Sequence, residues 1–202
     1  MAPQSHVRIQ VSRSESLAPL RMLTALGAVA LVGLGACGDN PFEIQWSAAP
    51  DTVLLYSLAR PELNLPSAIN INRRILVRVE APAASGSWDL AVDSDGENFF
   101  FLPPGALGVV SRAGITKIGP VDFLEVIAAP RDTIVYSVST PLLAELGNVY
   151  VVRTGESTGA FGLRCVYFAK LEPLNIDVES GTIDFVYDSN PVCNDLSLIP
   201  PN

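Results

Sequence analysis

Apolar and polar side chains alternate along several short stretches of this chain, a pattern typical of strands that bury one face. In the stretch 87–93, Trp88, Leu90 and Val92 fall on one side and Asp89 falls on the other. The same alternation predicts strands at 72–80 (NRRILVRVE) and on both sides of Ser180-Gly181 in 175–188 (NIDVESGTIDFVYD). The stretch 51–58 (DTVLLYSL) is rich in residues that favour strands and predicts a further strand.

Turn residues predict how these strands pair. Asp95-Gly96 predicts a tight turn after 87–93, because glycine accepts a positive φ, and Ser180-Gly181 predicts another. The stretches 148–154 and 164–171 form a further predicted pair across a glycine-rich loop. The aromatic run 99–105 (FFFLPPG) has two interpretations: alternating core and surface packing in a strand, or an exposed aromatic edge for an apolar ligand.

The fold class predicted from these elements is all-β. The chain forms an antiparallel β-sandwich or barrel-like single domain, and only 140–147 (TPLLAELG) can give two helical turns. An internal echo relates 49–61 (APDTVLLYSLARP) to 129–141 (APRDTIVYSVSTP). It indicates either two strands that obey the same turn rules or a duplicated half-domain.

The N-terminal 36 residues have the composition of a secretory signal peptide. Arg8, Arg13 and Arg21 precede an uncharged run, 22–36, that is too short to span a bilayer. We therefore predict a signal helix at 1–36 that is removed, a tether at 37–50 and a β-rich extracytoplasmic domain at 51–202.

The end of that run, Leu34-Gly35-Ala36-Cys37, resembles the lipobox of bacterial lipoproteins. The resemblance implies cleavage between Ala36 and Cys37, with diacylglycerol on the Cys37 thiol and an acylated amine. Two or more acyl chains hold a protein stably on a membrane. Gly38 stands where an aspartate signals retention in that family, so the resemblance implies an outer-membrane anchor facing the periplasm or the cell surface.

Processing would also change the charge of the chain. Removal of three arginines and Glu15 leaves ten basic and twenty acidic residues, a net charge of −10. Such a charge argues against nucleic acid as a partner and against electrostatic docking of the domain on anionic lipid. The predicted partners are the membrane, through lipid on Cys37, and an envelope protein.

The only histidine, His6, and both methionines, Met1 and Met22, lie in the leader. The mature domain therefore lacks the imidazole of Ser-His-Asp and Cys-His hydrolases, of histidine zinc sites and of histidine-held haem. We predict a non-enzymatic domain without a cofactor that serves binding or envelope assembly. One alternative is a carrier of a small ligand or metal ion; another is a hydrolase that uses paired carboxylates such as Asp93 and Asp95.

Cys165 and Cys193 remain as an even pair in an oxidising compartment, which predicts one disulfide. A redox pair is the alternative, but no CxxC spacing supports it.

Three polar clusters are candidate ligand sites. Asp93 and Asp95, in 93–98 (DSDGEN), are candidate metal ligands, although a hairpin turn also explains them. The stretch 187–195 (YDSNPVCND) can capture a metal or form a turn pinned by the disulfide. Arg73, Arg74 and Arg78 can receive an anion or be solvated charges of a strand edge.

Four stretches, 87–93, 149–154, 167–177 and 181–188, together resemble the WD motif and closing strands of HmuY-like lipoproteins. These are β-rich surface lipoproteins that bind haem. The resemblance implies a β-rich fold. It does not extend to haem binding, because that family holds haem with histidines and the mature domain has none.

Overall fold

The computed structural model describes residue 46 and the ranges 48–81, 84 and 86–201; the predicted signal helix and Cys37 lie outside them. Within these ranges the chain forms twelve strands and no α-helix, and no helix could cross a bilayer. In chain order the strands are β1 (Asp51–Tyr56), β2 (Ala68–Asn70), β3 (Ile75–Val77), β4 (Leu90–Ser94), β5 (Phe99–Leu102), β6 (Gly114–Gly119), β7 (Leu142–Leu143), β8 (Val149–Arg153), β9 (Ser157–Thr158), β10 (Arg164–Cys165), β11 (Phe168–Asp177) and β12 (Thr182–Ser189).

The strands form two five-stranded antiparallel sheets. The first sheet has the order β1-β12-β11-β8-β6, and the second has the order β3-β2-β4-β5-β7. A small pair, β9 with β10, stands apart from both. The sheets pack face to face, so the all-β prediction is confirmed in its sandwich form: within the described ranges they do not close into one barrel.

Aromatic side chains join the two sheets in the core between them. Phe101 of the second sheet meets Tyr150 and Phe185 of the first edge-on, with ring centroids 5.1 and 6.1 Å apart. Each such pair contributes about 0.5–1.5 kcal/mol beyond the burial of its area. Phe99 and Phe101 are buried between the sheets, whereas the half-buried Phe100 and the buried Leu102 pack in an apolar cluster on the other face. The stretch 99–102 therefore offers no exposed aromatic edge.

The predicted hairpins are confirmed. β11 pairs with β12 antiparallel, with Ile176 opposite Ile183, and β8 pairs with β11 across the glycine-rich loop. The β4–β5 turn contains Gly96 at a φ of +91°, a conformation that favours glycine.

One predicted element is wrong and a second is shorter than predicted. The stretch 140–147 forms no helical turns; β7 pairs Leu142 with Phe101, because Pro141 and Gly147 leave too few residues for a helix. The stretch 72–80 gives only the three-residue strand β3. Ile75 of this strand is 50% exposed, because β3 is the edge strand of its sheet.

The internal echo does not correspond to equivalent structures. The first segment forms β1, whereas the second forms a 3₁₀ turn at Thr133–Val135. This turn begins where the Asp132 side chain accepts a hydrogen bond from the Ile134 backbone N–H, at 3.0 Å. A shared sequence pattern therefore gives a strand only where β12 offers a pairing edge.

The outer faces of both sheets are also covered. Chain segments that cross the first sheet build a second apolar cluster on its outer side, around Val149, Val151 and Phe168. A third cluster, with Trp88, Ala91 and Leu102, covers the second sheet. The sheets are thus buried on two sides, and the covering segments supply the outer surface of the molecule.

Candidate interaction surfaces

Most of the polar contacts described below lie at one end of the sandwich. There β1, β6 and β11 begin and β8 and β12 end, and the chain enters β1 at Asp51. We call it the entry end. The opposite end, where β11 turns into β12 through Ser180-Gly181, is called the far end.

Asp89 fastens the two sheets together at the entry end. Its carboxylate accepts hydrogen bonds from the Ile71 N–H, at 2.9 Å, and from the Gly155 N–H, at 3.0 Å. Ile71 follows β2 of the second sheet, whereas Gly155 lies just beyond β8 of the first. The Asp89 side chain is buried, and this burial raises its pKa above the ordinary value.

The position of Asp89 corrects a prediction from the sequence. Alternation in 87–93 placed this residue on the polar side, opposite Trp88 and Leu90, yet all three are buried. The backbone donors that compensate the buried charge come from distant parts of the chain, 18 and 66 residues away. No local pattern reveals them.

A polar cleft of about 430 Å³ opens beside Asp89. Among the residues that line it are Asn70, Arg73, Glu156 and Tyr167. Glu156 also binds two arginines on the rim, Arg112 at 2.9 Å and Arg164 at 3.5 Å.

The predicted disulfide joins Cys165 to Cys193 at the same end, with Cα atoms 5.0 Å apart. The loop that precedes Cys165 packs tightly against this bond. A Cβ atom at Gly159 would collide with Cys165 Sγ, so glycine is required there. The disulfide thus supports the loop 159–163 and also closes the stretch of chain between Cys165 and Cys193.

The stretch 187–195 forms a hydrogen-bonded turn beside the disulfide. Asn190 Nδ2 donates to Asp195 Oδ2 at 3.0 Å, and Asn194 Nδ2 donates to the Arg164 carbonyl at 2.9 Å. The disulfide-pinned turn is therefore the interpretation that the structure bears out.

The arginines expected to form one anion site have separate contacts. Arg74 donates to the Ala49 carbonyl at 3.0 Å and pairs with the buried Asp188 at 3.4 Å. Arg73 lines the polar cleft instead, and Arg78 is exposed beyond β3.

Asp93 and Asp95, the candidate metal ligands, lie towards the far end and hold turns. Asp93 Oδ1 accepts from Ser57 Oγ at 2.9 Å and from the Ala59 N–H at 2.8 Å. Asp95 accepts from the N–H groups of Glu97 and Asn98, which lowers the pKa of its carboxyl. Among the described residues, no three histidine, cysteine or acidic side chains converge as a metal site requires.

A second feature, which sequence patterning missed, lies in the segment 118–138, whose Val126, Ala129 and Tyr136 pack on the outer side of the first sheet. Residues 118–138 leave seven large apolar side chains exposed, by 38 to 88%. We call these side chains together the lateral surface: Ile118, Val121, Leu124, Ile127, Ile134, Val135 and Val138.

The segment that carries the lateral surface is firmly held. The buried Lys170 donates to the Val126 carbonyl at 3.0 Å, and its Nζ lies 4.7 Å from the centre of the Phe123 ring. Burial lowers the pKa of Lys170. Two backbone hydrogen bonds of 2.8 Å join this stretch to the C-terminal segment 196–198: the Ala129 N–H donates to the Leu196 carbonyl, and the Leu198 N–H donates to the Ile127 carbonyl. The exposed apolar groups therefore stand on a fixed platform.

Comparison with known proteins assigns the chain to no family. No protein-family model matches the chain, and no curated protein matches it either. The lipobox and the HmuY-like resemblance thus stay predictions from the motifs that carry them.

Asp89→Asn should destabilise the fold by about 1–3 kcal/mol, because an amide N–H₂ would then face a backbone N–H. Since burial raises the pKa of Asp89 above 3.8, its favourable contribution is full below pH 3.8 and declines as pH rises through the raised pKa. The difference in free energy of unfolding between wild type and Asp89→Asn, measured with urea, should therefore become smaller as pH rises.

Asp95→Asn is the matched control for this pH dependence. Its carboxyl has a lowered pKa, so the stability that it contributes is lost as pH falls. The difference in free energy of unfolding between wild type and Asp95→Asn should therefore become larger as pH rises. If the stability difference for Asp89→Asn also became larger with rising pH, burial would not be raising the pKa of Asp89.

Replacing both Cys165 and Cys193 by serine should cost about 3–4 kcal/mol of unfolding free energy, since the unfolded chain regains the entropy of an open loop. Urea unfolding with and without dithiothreitol measures this loss. Reduction should destabilise the wild type alone. Equal midpoints for the oxidised wild type and the double variant would contradict the expected role of the bond.

Proposed function

We propose that this chain is a bacterial lipoprotein, anchored by lipid on Cys37, whose β-domain binds a protein partner in the cell envelope. The anchor rests on the leader and on the Leu34–Cys37 motif. The binding role rests on one structural observation, the lateral surface. The absence of histidine from residues 37–202 supports binding over the common forms of acid–base catalysis.

The lateral surface has the character of an interaction site. Large exposed apolar patches mark interaction sites on soluble domains. Ile118, Val121 and Ile127 line one shallow depression of about 360 Å³, and Leu124 and Ile134 are 73 and 88% exposed. Covering one such side chain completely contributes about 1.5–3 kcal/mol, so a few of them can hold a partner.

Charge on the same segment favours a protein over a lipid surface as the occupant. Asp122, Glu125 and Asp132 interleave with the apolar residues, and phosphate headgroups would repel them. Lys117 is already paired with Glu145, which leaves Arg131 as the nearby cation of the segment 118–138. The partner that fits is a protein with an apolar face and a basic rim.

The anchor is tested by exchanging residues 1–36 for a cleavable signal peptide of the ordinary secretory type and replacing Cys37 by serine. We expect the product to leave the membrane fraction, because it lacks the acyl chains that hold it there. The wild type should stay in that fraction and carry the lipid mass on Cys37 by mass spectrometry. A wild type without added lipid mass would refute the anchor.

The lateral surface is tested by placing a photo-crosslinking amino acid at Leu124 or Ile134 of the full chain in its own membranes. Leu63 provides the matched control: it is 62% exposed and follows Glu62, which lines a depression at the far end. We expect one discrete adduct from both lateral positions and none from the control, because only the lateral positions would be covered.

The captured protein is then purified and titrated against variants. The double substitution Leu124→Ser and Ile134→Ser should weaken binding by at least about tenfold, since about 1.4 kcal/mol of lost apolar burial already gives that factor. Leu63→Ser should leave binding unchanged. Equal binding by all three proteins would refute the proposed surface.

A further inference from the structure

The point where the chain enters the domain limits where the membrane can be. Residues 38–50 separate Cys37 from β1, and β1 begins at the entry end. Thirteen residues reach at most roughly 45 Å when fully extended, so the entry end stays within that distance of a lipid on Cys37. This step rests on the lipid anchor of the proposed function.

Apolar side chains project from loops at that same end. Val110 and Phe161 are fully exposed, and Leu163 is 61% exposed. Val110 lines a second depression beside Asp89, of about 340 Å³. Phe161 lies in the loop supported by the disulfide. An aromatic residue fully in water leaves about 1.5–3 kcal/mol of burial energy unused.

The backbone at Phe161 is unusual as well. Its φ is +58°, in the left-handed region that bulky side chains rarely adopt. The packing of Gly159 against Cys165 Sγ, with Gly162 at a φ of +75°, fixes the loop in this shape. Strained positions of this kind cluster at functional sites.

Arginines flank these apolar side chains. The side chains of Arg112 and Arg164 are 73 and 82% exposed, and both pair with Glu156. Arg112 is two residues from Val110, and Arg164 follows Leu163. A guanidinium has five N–H donors, so a single shared carboxylate leaves donors for phosphate oxygens.

We propose that Val110, Phe161, Leu163, Arg112 and Arg164 form a membrane-docking surface at the entry end. The apolar groups enter the acyl region of a phospholipid bilayer while the two arginines bind lipid phosphates. The bilayer is the one that holds the Cys37 lipid. The domain then stands with its entry end on the membrane and its lateral surface free for a protein.

The acidic character of the whole domain does not prevent this contact. Charges farther apart than about 8–10 Å are largely screened at physiological salt. At the contact itself the two arginines outnumber the Glu156 carboxylate that they share, so this cluster keeps a positive charge. The tether also raises the effective concentration of the domain near the lipid to the millimolar range. A weak affinity of this surface for lipid is therefore sufficient to keep the entry end on the bilayer.

Depth-dependent fluorescence quenching tests the apolar contact. The lipidated full chain, with Phe161→Trp, is reconstituted in phosphatidylcholine vesicles whose acyl chains carry bromine. Leu63→Trp, near the far end, is the matched control, and the signal of Trp46 and Trp88 is subtracted using unsubstituted protein. We expect bromine to quench the indole introduced by Phe161→Trp and to leave the one introduced by Leu63→Trp unaffected.

Two results of this experiment would overturn the proposal. Equal quenching in the Phe161→Trp and Leu63→Trp variants would mean that the domain has no fixed orientation on the bilayer. Emission from the Phe161→Trp variant that shifts to the blue without bromine quenching would mean contact with protein instead of lipid. Intact mass confirms the lipid on Cys37 in every sample, so a failed anchor is recognised separately.

The arginines are tested without the anchor, in the full chain with Cys37→Ser and the exchanged signal peptide. Vesicles of phosphatidylcholine with phosphatidylglycerol serve as the probe in a sedimentation assay. Each arginine near an anionic surface contributes about a fivefold gain in affinity, so Arg112→Gln with Arg164→Gln should weaken binding by roughly 25-fold. Arg78→Gln, on an exposed site beyond β3, is the control. Equal losses in the two variants would refute the role of the arginines.

Discussion

The fold depends on how one buried carboxylate closes the sandwich at its entry end. Asp89 accepts one backbone N–H beyond each sheet, from Ile71 and from Gly155, and so fixes the distance between the sheets where the core ends. A buried charge is tolerated only when it is hydrogen-bonded in this way. Glu156, the next residue after Gly155, holds Arg112 and Arg164. The rim of this end thus takes its geometry from the same carboxylate.

Local patterning predicted the parts of the fold that local physics determines. The β11–β12 hairpin follows from alternation around Ser180-Gly181, and the disulfide follows from an even pair of cysteines. Asp89 and the short strand β7 were missed, because their partners lie far along the chain. The exposed side chains of 118–138 show no strand or helix period. Their exposure follows from how Lys170 and the C-terminal segment hold that stretch on the first sheet.

The two proposed surfaces differ in the charges that accompany their apolar groups. Carboxylates of Asp122, Glu125 and Asp132 lie among the lateral residues, whereas arginines accompany Phe161 and Val110. Phosphate headgroups attract one arrangement and repel the other. A domain with ten basic and eighteen acidic residues over 51–202, a net charge of −8, could therefore direct one face to lipid and another to protein.

The register of β1 also decides how the domain bears mechanical load. Its six residues pair with β12 from Asp51–Tyr187 to Tyr56–Thr182, and the tether continues from the start of β1. A pull on the tether along the strand direction acts on all six pairs at once, in shear, instead of opening them one after another. A partner held on the lateral surface would then pull against the full length of this ladder. With the proposed anchor and partner in place, the first strand would act as a mechanical clamp between the two.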